Sequence, residues 1–287
     1  MQRLFEYAAG SVMGTHHAQL PHNNQDAFYS VTTPHCQLHL VADGCGDPVV
    51  GLHSEVGAQI GVRIVAQAIE RGLSRFVRYR SRYPAPGSEP FWQRVKQDAL
   101  TQLYSTAQSM GDTPSKVIGN YFLFTLLGVL ITASETVVFG IGDGVYCVNG
   151  YWNTIGPFPD NRPPYLSYNL LSSGTDPLLQ FQLHQTIKTV DLQTFFIGTD
   201  GVTQLMNAAS QNVPGEDDLV GPIEQFWQDE YFSSPYILPL RLKLLAQPQY
   251  VWTPQQLNVS PGLLPDDTTF IVGRRVAVSH DEEEEDA

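Results

Sequence analysis

The chain has 287 residues, enough for one large α/β domain or two small ones. A composition that is 42% hydrophobic and 11% aromatic supports a packed core and excludes a disordered chain. With 16 basic against 29 acidic residues the net charge is −13, which argues against nucleic acid or an anionic membrane surface as partner.

Strand-like runs open the chain over residues 3–14, 25–33 and 36–43. A helix is predicted from Gly51 to Arg82, with Val56, Ile60, Ile64, Ala68 and Phe76 near helical spacing. Tyr83-Pro84-Ala85-Pro86-Gly87-Ser88 breaks it, and Phe91 to Met110 reads as a second helix. Residues 119–131, 134–141 and 144–149 are read as a meander of three strands. Pro157, Pro159, Pro163 and Pro164 mark a loop before strands near 165–171, 180–190 and 193–199. Helical segments follow at 201–211, 219–230 and 236–247, and a last strand runs from about 267 to 277. Strands, two helices, more strands, helices and a final strand suit an α+β layered fold better than alternating βαβ units.

The tail Asp281-Glu282-Glu283-Glu284-Glu285-Asp286 supplies six of the thirteen net negative charges, and such a self-repelling run is expected to be a solvated, disordered tail. Residues 1–278 are therefore read as one domain and 279–287 as the tail. Cys36, Cys45 and Cys147 are odd in number and lack metal-like spacing, so neither a disulfide framework nor a zinc site follows. The opening Met-Gln-Arg-Leu-Phe-Glu has no apolar secretory stretch, and the longest apolar run, Tyr121 to Ala133, falls short of the roughly 20 residues of a membrane span. A cytoplasmic, monomeric protein without a membrane partner is expected.

Five aspartates stand at the edges of these apolar runs. Asp26 follows Asn24-Gln25, Asp43 ends Leu38-His39-Leu40-Val41-Ala42, Asp143 ends Phe139-Gly140-Ile141-Gly142, and Asp200 ends Phe195-Phe196-Ile197-Gly198-Thr199. Asp266 opens Asp266-Asp267-Thr268-Thr269-Phe270. Asp-Gly is also a common hairpin signal, and any one of the five alone reads as a turn. Together, on separate strands, their carboxylates would repel one another unless hard divalent cations neutralised them.

The ordered series Asn-Gln-Asp, Val-Ala-Asp-Gly, Gly-Asp-Gly, Thr-Asp-Gly and Asp-Asp-Thr-Thr resembles the metal-dependent serine/threonine protein phosphatases of type 2C, over about residues 10 to 275. The resemblance implies a four-layer α/β/β/α sandwich of two antiparallel sheets flanked by helix pairs, with the site where strand ends meet. It also implies two Mg²⁺ or Mn²⁺ ions sharing a water. Asp43 would contact both ions, the Gly44 carbonyl one of them, and Asp200 and Asp266 would complete the direct ligands. Asp26 would act through metal-bound waters, and Asp143 matches the position of a third, weaker ion. All-oxygen donors suit these ions better than zinc. The implied reaction is hydrolysis of phosphoserine or phosphothreonine in a phosphorylated protein, with no covalent intermediate.

The chain departs from the family pattern in three places. His16-His17-Ala18-Gln19-Leu20-Pro21-His22-Asn23-Asn24-Gln25-Asp26 has no Arg or Lys where many members grip the phosphate. His16, His17 and His22 are candidates to donate to phosphate or to protonate the leaving group, against a competing reading as surface loop histidines. Asp47 replaces a second glycine, and Gly142-Asp143-Gly144-Val145 stands where many members have Gly-Asp-Ser-Arg; both variants resemble a bacterial subgroup. The Pro-rich loop 156–164 falls in the flap region. Cys45, beside the expected centre, is read as a buried, inert thiol in preference to an oxidation-sensitive handle. Two rivals stay open: a catalytically inactive relative that binds phosphoproteins, and a small-ester metal hydrolase on a different fold.

Overall fold

Leu38-His39-Leu40-Val41-Ala42 and Leu126-Leu127-Gly128-Val129-Leu130-Ile131 are unbroken runs, whereas an antiparallel strand with one wet face alternates apolar and polar residues. Unbroken runs call for cover on both faces. The computed structural model describes residues 4–19, 22–46, 50–79, 82–171, 176–252, 256–260 and 262–276. In it, both runs are buried at every position.

The elements in chain order are β1 (Phe5–Val12), α1 (Thr15–Gln19), β2 (Ala27–Thr32), β3 (Gln37–Ala42), α2 (Ser54–Tyr79), α3 (Glu89–Ser109) and α4 (Pro114–Tyr121). Then come β4 (Leu126–Ile131), β5 (Glu135–Ile141), β6 (Gly144–Val148), β7 (Tyr151–Ile155), α5 (Tyr168–Leu171), β8 (Gln182–Lys188) and β9 (Thr194–Gly198). The chain closes with α6 (Val202–Asn207), α7 (Asp229–Ser233), α8 (Ile237–Ala246), β10 (Gln249–Trp252), β11 (Leu257–Ser260) and β12 (Thr268–Arg275). One five-stranded sheet has the order β1-β12-β9-β6-β7 and the other β2-β3-β4-β5-β8; β10 and β11 form a separate ribbon. Every pairing is antiparallel.

Three apolar slabs hold these layers together. Leu40, Leu130 and Phe139 pack outward against Val62, Val65 and Trp92 of α2 and α3. Val41, Val129 and Val138 face Phe195, Ile197 and Ile271 of the other sheet. Phe196 and Phe270 turn to the second helical side, against Phe226, Leu238 and Leu242. The α+β fold of two antiparallel sheets between helical layers is thereby met. Trp92 shows how tightly the first slab is closed: its ring lies 4.0 Å from that of Phe139, and its Nε1 donates to the Pro86 carbonyl at 2.7 Å. Truncating such a side chain typically costs about 3–5 kcal/mol.

The helices follow local rules. Pro90 and Pro114 stand in the first turns of α3 and α4, where the missing N–H is no loss. Gly57 on α2 has no alternative, because a Cβ there would come 1.4 Å from the Tyr121 carbonyl oxygen. That contact lets α2 press on the end of α4.

Several expectations need correction. Residues 119–131 are not one strand: α4 ends at Tyr121 before β4 begins at Leu126. The three strands are no meander either, since β6 leaves its neighbour β5 and pairs with β9 in the other sheet. Residues 165–171 carry the short helix α5 in place of a strand, and β7 and the β10–β11 ribbon were not anticipated. The predicted helix at 219–230 is a 3₁₀ turn, Ile223–Trp227, followed by α7. Asp47 and the acidic tail lie outside the described residues.

Candidate active site

Strand register alone carries the five aspartates to one end of the sandwich. Ala27 pairs with Ala42, so Asp26 and Asp43 leave the same edge of one sheet. Leu126 pairs with Ile141, which puts the turn holding Asp143 at that end too. In the other sheet, Phe270 and Val145 both pair with Gly198, so the chain before β12, the turn before β6 and Asp200 come together. Asp143 sits where the chain passes from one sheet to the other. Gly142 and Gly144 on either side have φ of 94° and 142°, values glycine reaches without steric cost.

A cavity of about 880 Å³ opens at this end, and its floor includes Asp43, Gly44, Asp143, Asp200 and Asp266. The Asp43 segment is pinned from three directions. The Asp43 carbonyl accepts from Thr125 N at 2.8 Å, Gly44 N donates to the Gln25 carbonyl at 3.1 Å, and Cys45 N donates to the Leu123 carbonyl at 2.9 Å. Ser54 Oγ donates to the Cys45 carbonyl at 2.9 Å and accepts from Gln25 Nε2 at 3.1 Å. Asp266 is steadied through its own N–H, which donates to Gln204 Oε1 at 3.1 Å. Asp26 is buried behind the floor, where its Oδ2 accepts from Thr199 Oγ1 at 2.8 Å.

Burial and mutual repulsion dominate the electrostatics. Burial, reinforced by the charges of Asp26, Asp200, Asp266 and Asp143, holds the Asp43 carboxyl well above the usual carboxylate range. Burial and then Asp267 do the same for Asp26. Asp200 is pushed up to about 6 by burial and by Asp266 and Asp143, and burial also raises Asp143 and Asp266. A site that resists holding its own negative charge has a use for cations.

The donor set fits a hard divalent ion. It consists of carboxylates with Gly44 lining the same cavity, and the buried Asp26 Oδ1 has no hydrogen-bond partner among the described residues. Among those residues, no three carboxylate, imidazole or thiol groups close to the spacing of a single-ion cage. The aspartates stand around the cavity, which suits an ion that keeps several waters, as Mg²⁺ does.

The rim is basic. His16 and His17 both line the cavity from α1, whose first N–H groups donate to the Leu264 and Pro265 carbonyls at 2.9 and 3.0 Å. His17 Nδ1 stands 3.0 Å from Asp267 Oδ2, an ion-pair distance at an angle outside hydrogen-bond geometry. That contact raises the His17 pKa against the opposing effect of burial. Asp267 is buried, and it also accepts from Gly14 N at 2.7 Å and Gln25 N at 2.6 Å. His22 is exposed and is not among the residues lining the cavity, although its ring lies 5.8 Å from that of His17. Cys45 is half-buried and does line the cavity.

Across from the histidines, the 3₁₀ turn Pro159–Asn161 presents Arg162. Arg162 is the single arginine or lysine among the described residues that line the cavity. Its exposed guanidinium makes no ion pair or hydrogen bond among the described residues. Sequence reading marked this loop but did not single out Arg162, Asp267 or Gln25. Asp267 had a signal, its place beside Asp266 in the last motif.

The family model of protein phosphatase 2C matches residues 13–234, and the chain belongs to that family. Among solved structures, a bacterial serine phosphatase bearing a point mutation is 16% identical, with 95% of this chain and 99% of that chain covered and a TM-score of 0.51. A bacterial serine phosphatase without that mutation is 15% identical over 96% and 99% of the two chains, with a TM-score of 0.50. The catalytic domain of the serine threonine protein phosphatase PstP, in complex with 2 manganese ions, is 16% identical over 96% and 99%, with a TM-score of 0.48. No curated protein sequence matches.

Proposed function

We propose that this chain is a Mg²⁺- or Mn²⁺-dependent phosphatase that removes phosphate from serine and threonine side chains of proteins. The observation that carries this reading is the arrival of Asp43, Asp143, Asp200 and Asp266, from both sheets, on one open cavity. Asp43, Gly44, Asp200 and Asp266 would hold two ions, Asp26 would support them through water, and Asp143 would serve a third. Bound there, such ions acidify a water for attack on phosphorus and neutralise the phosphate oxygens.

The remaining work falls to the rim. Arg162 is suited to take the substrate phosphate from the flap side, because its planar fork matches two phosphate oxygens. It would stand in for the arginine missing from His16–Asp26. A protein substrate suits an open cavity into which a phosphorylated side chain can reach. Among the described residues no helix is long and apolar enough to cross a membrane.

The rival of an inactive phosphoprotein-binding module drew on that missing arginine, and Arg162 weakens it. A small-ester hydrolase of different fold is removed by the observed fold. The test is hydrolysis of a phosphothreonine peptide by purified protein with Mn²⁺, with Mg²⁺ and with excess chelator. Turnover restored by metal after chelation is expected. Calorimetric Mn²⁺ binding without turnover would favour the binding module, and absence of both would overturn the metal assignment.

A further inference from the structure

We infer that His17, oriented by Asp267, is the proton donor to the leaving serine or threonine oxygen. The inference rests on the phosphatase reading and adds a residue to it. His17 is the imidazole on this rim that is both turned to the cavity and paired with a buried carboxylate, whose own side chain is 2% exposed. Asp267 cannot drift, since backbone N–H groups of Gly14 and Gln25 hold both its oxygens. The Asp267 carboxylate beside Nδ1 favours the charged imidazolium, in which Nε2 is the second proton-bearing edge. His16 lines the same rim but is exposed, and among the described residues no carboxylate pairs with its ring.

In the step, a water oxygen bonds to phosphorus as the bond from phosphorus to the side-chain oxygen breaks. That oxygen keeps the bonding pair, takes the Nε2 proton and departs as the alcohol. His17 is left neutral and regains a proton from solvent, to which the attacking water loses one of its own. The products are the free hydroxyl and hydrogen phosphate.

The experiment compares two esters on wild type and His17→Asn under saturating Mn²⁺: a phosphothreonine peptide, whose alkoxide needs a proton to leave, and p-nitrophenyl phosphate, whose phenolate does not. We expect kcat on the peptide to fall about 10²-fold while the aryl ester is little changed. Asp267→Asn should lower the peptide rate less, in the same selective sense, and thermal melts of both variants establish that they fold. Calorimetric Mn²⁺ binding should be the same in wild type and His17→Asn. Parallel losses on both esters, or an unchanged peptide rate, would overturn the role of His17. A wild type inactive on both esters would instead overturn the phosphatase reading, and this inference with it.

Discussion

Asp43 and Asp200 hang from β3 and β9, interior strands bonded to a neighbour on either side, whereas His17 and Arg162 ride on a five-residue helix and a 3₁₀ turn. The floor of the cavity is thus fixed by the same ladders that fix the sandwich. The rim is attached to it by a few hydrogen bonds: two N–H groups anchor α1, and Asp160 and Asn161 turn the flap loop with φ of 55° and 51°. The floor concentrates negative charge against its own preference; the rim supplies donors to anionic substrate groups. This division lets the shape of the rim vary without disturbing the carboxylates.

The comparison breaks most sharply if floor residues turn out dispensable. Asp43→Asn or Asp200→Asn should reduce turnover at least about 10³-fold, the upper end of what one preorganised electrostatic contact is worth. The same variants should melt higher than wild type in the absence of metal, because each removes a charge from a crowded, buried set. Full turnover under saturating Mn²⁺ in either variant would sink the two-ion assignment.

Legibility in the sequence follows the same division. The floor could be read because an apolar run ending in Asp-Gly reports both a strand and its end, and register then gathers the ends. Which sheet each strand joined was less visible. β5 and β6 look like a hairpin pair locally, and only the paired faces of the sandwich send β6 to β9. The helix α4 was lost because the apolar run beginning at Tyr121 masked Pro114, its start signal. The rim was legible only in part: His16 and His17 were candidates and do line the cavity, but His17 meets Asp267 across nearly the whole chain, and no local pattern announces such a pairing. Arg162 sits in a Pro-rich loop whose sequence gives a turn without its direction.

Arg162→Ala tests the rim. A charged hydrogen-bonding contact is worth about 1.5–3 kcal/mol, which at 1.4 kcal/mol per tenfold predicts a loss of about 10- to 10²-fold in kcat/KM on the phosphothreonine peptide. Arg162→Lys should recover part of it, since a point charge still attracts phosphate but cannot grip two oxygens. Mn²⁺ affinity should not change in either. A loss of metal binding in Arg162→Ala would merge rim and floor into one structural unit and end the distinction.

The smallest expected effect is the most direct measure of crowding in the floor. In metal-free protein, the raised pKa values of Asp26, Asp43, Asp143, Asp200 and Asp266 mean the native state holds protons that the unfolded chain has released. For Asp200 that window runs from the ordinary 3.8 to about 6. Stability rises with pH only where the unfolded state binds more protons, so here it falls as pH rises. The raised pKa of His17 acts in the same direction, and the one of half-buried His184, lowered by desolvation, opposes it. Metal-free protein should therefore melt higher near pH 5.5 than near pH 7.5, by about 2–4 °C for each kcal/mol in domains approaching this size. Saturating Mn²⁺ should flatten or invert the trend, because ion binding needs the ionised carboxylates. A flat profile without metal would mean that the aspartates do not crowd one another in the folded chain, and the floor would then be no more charged a structure than the rim.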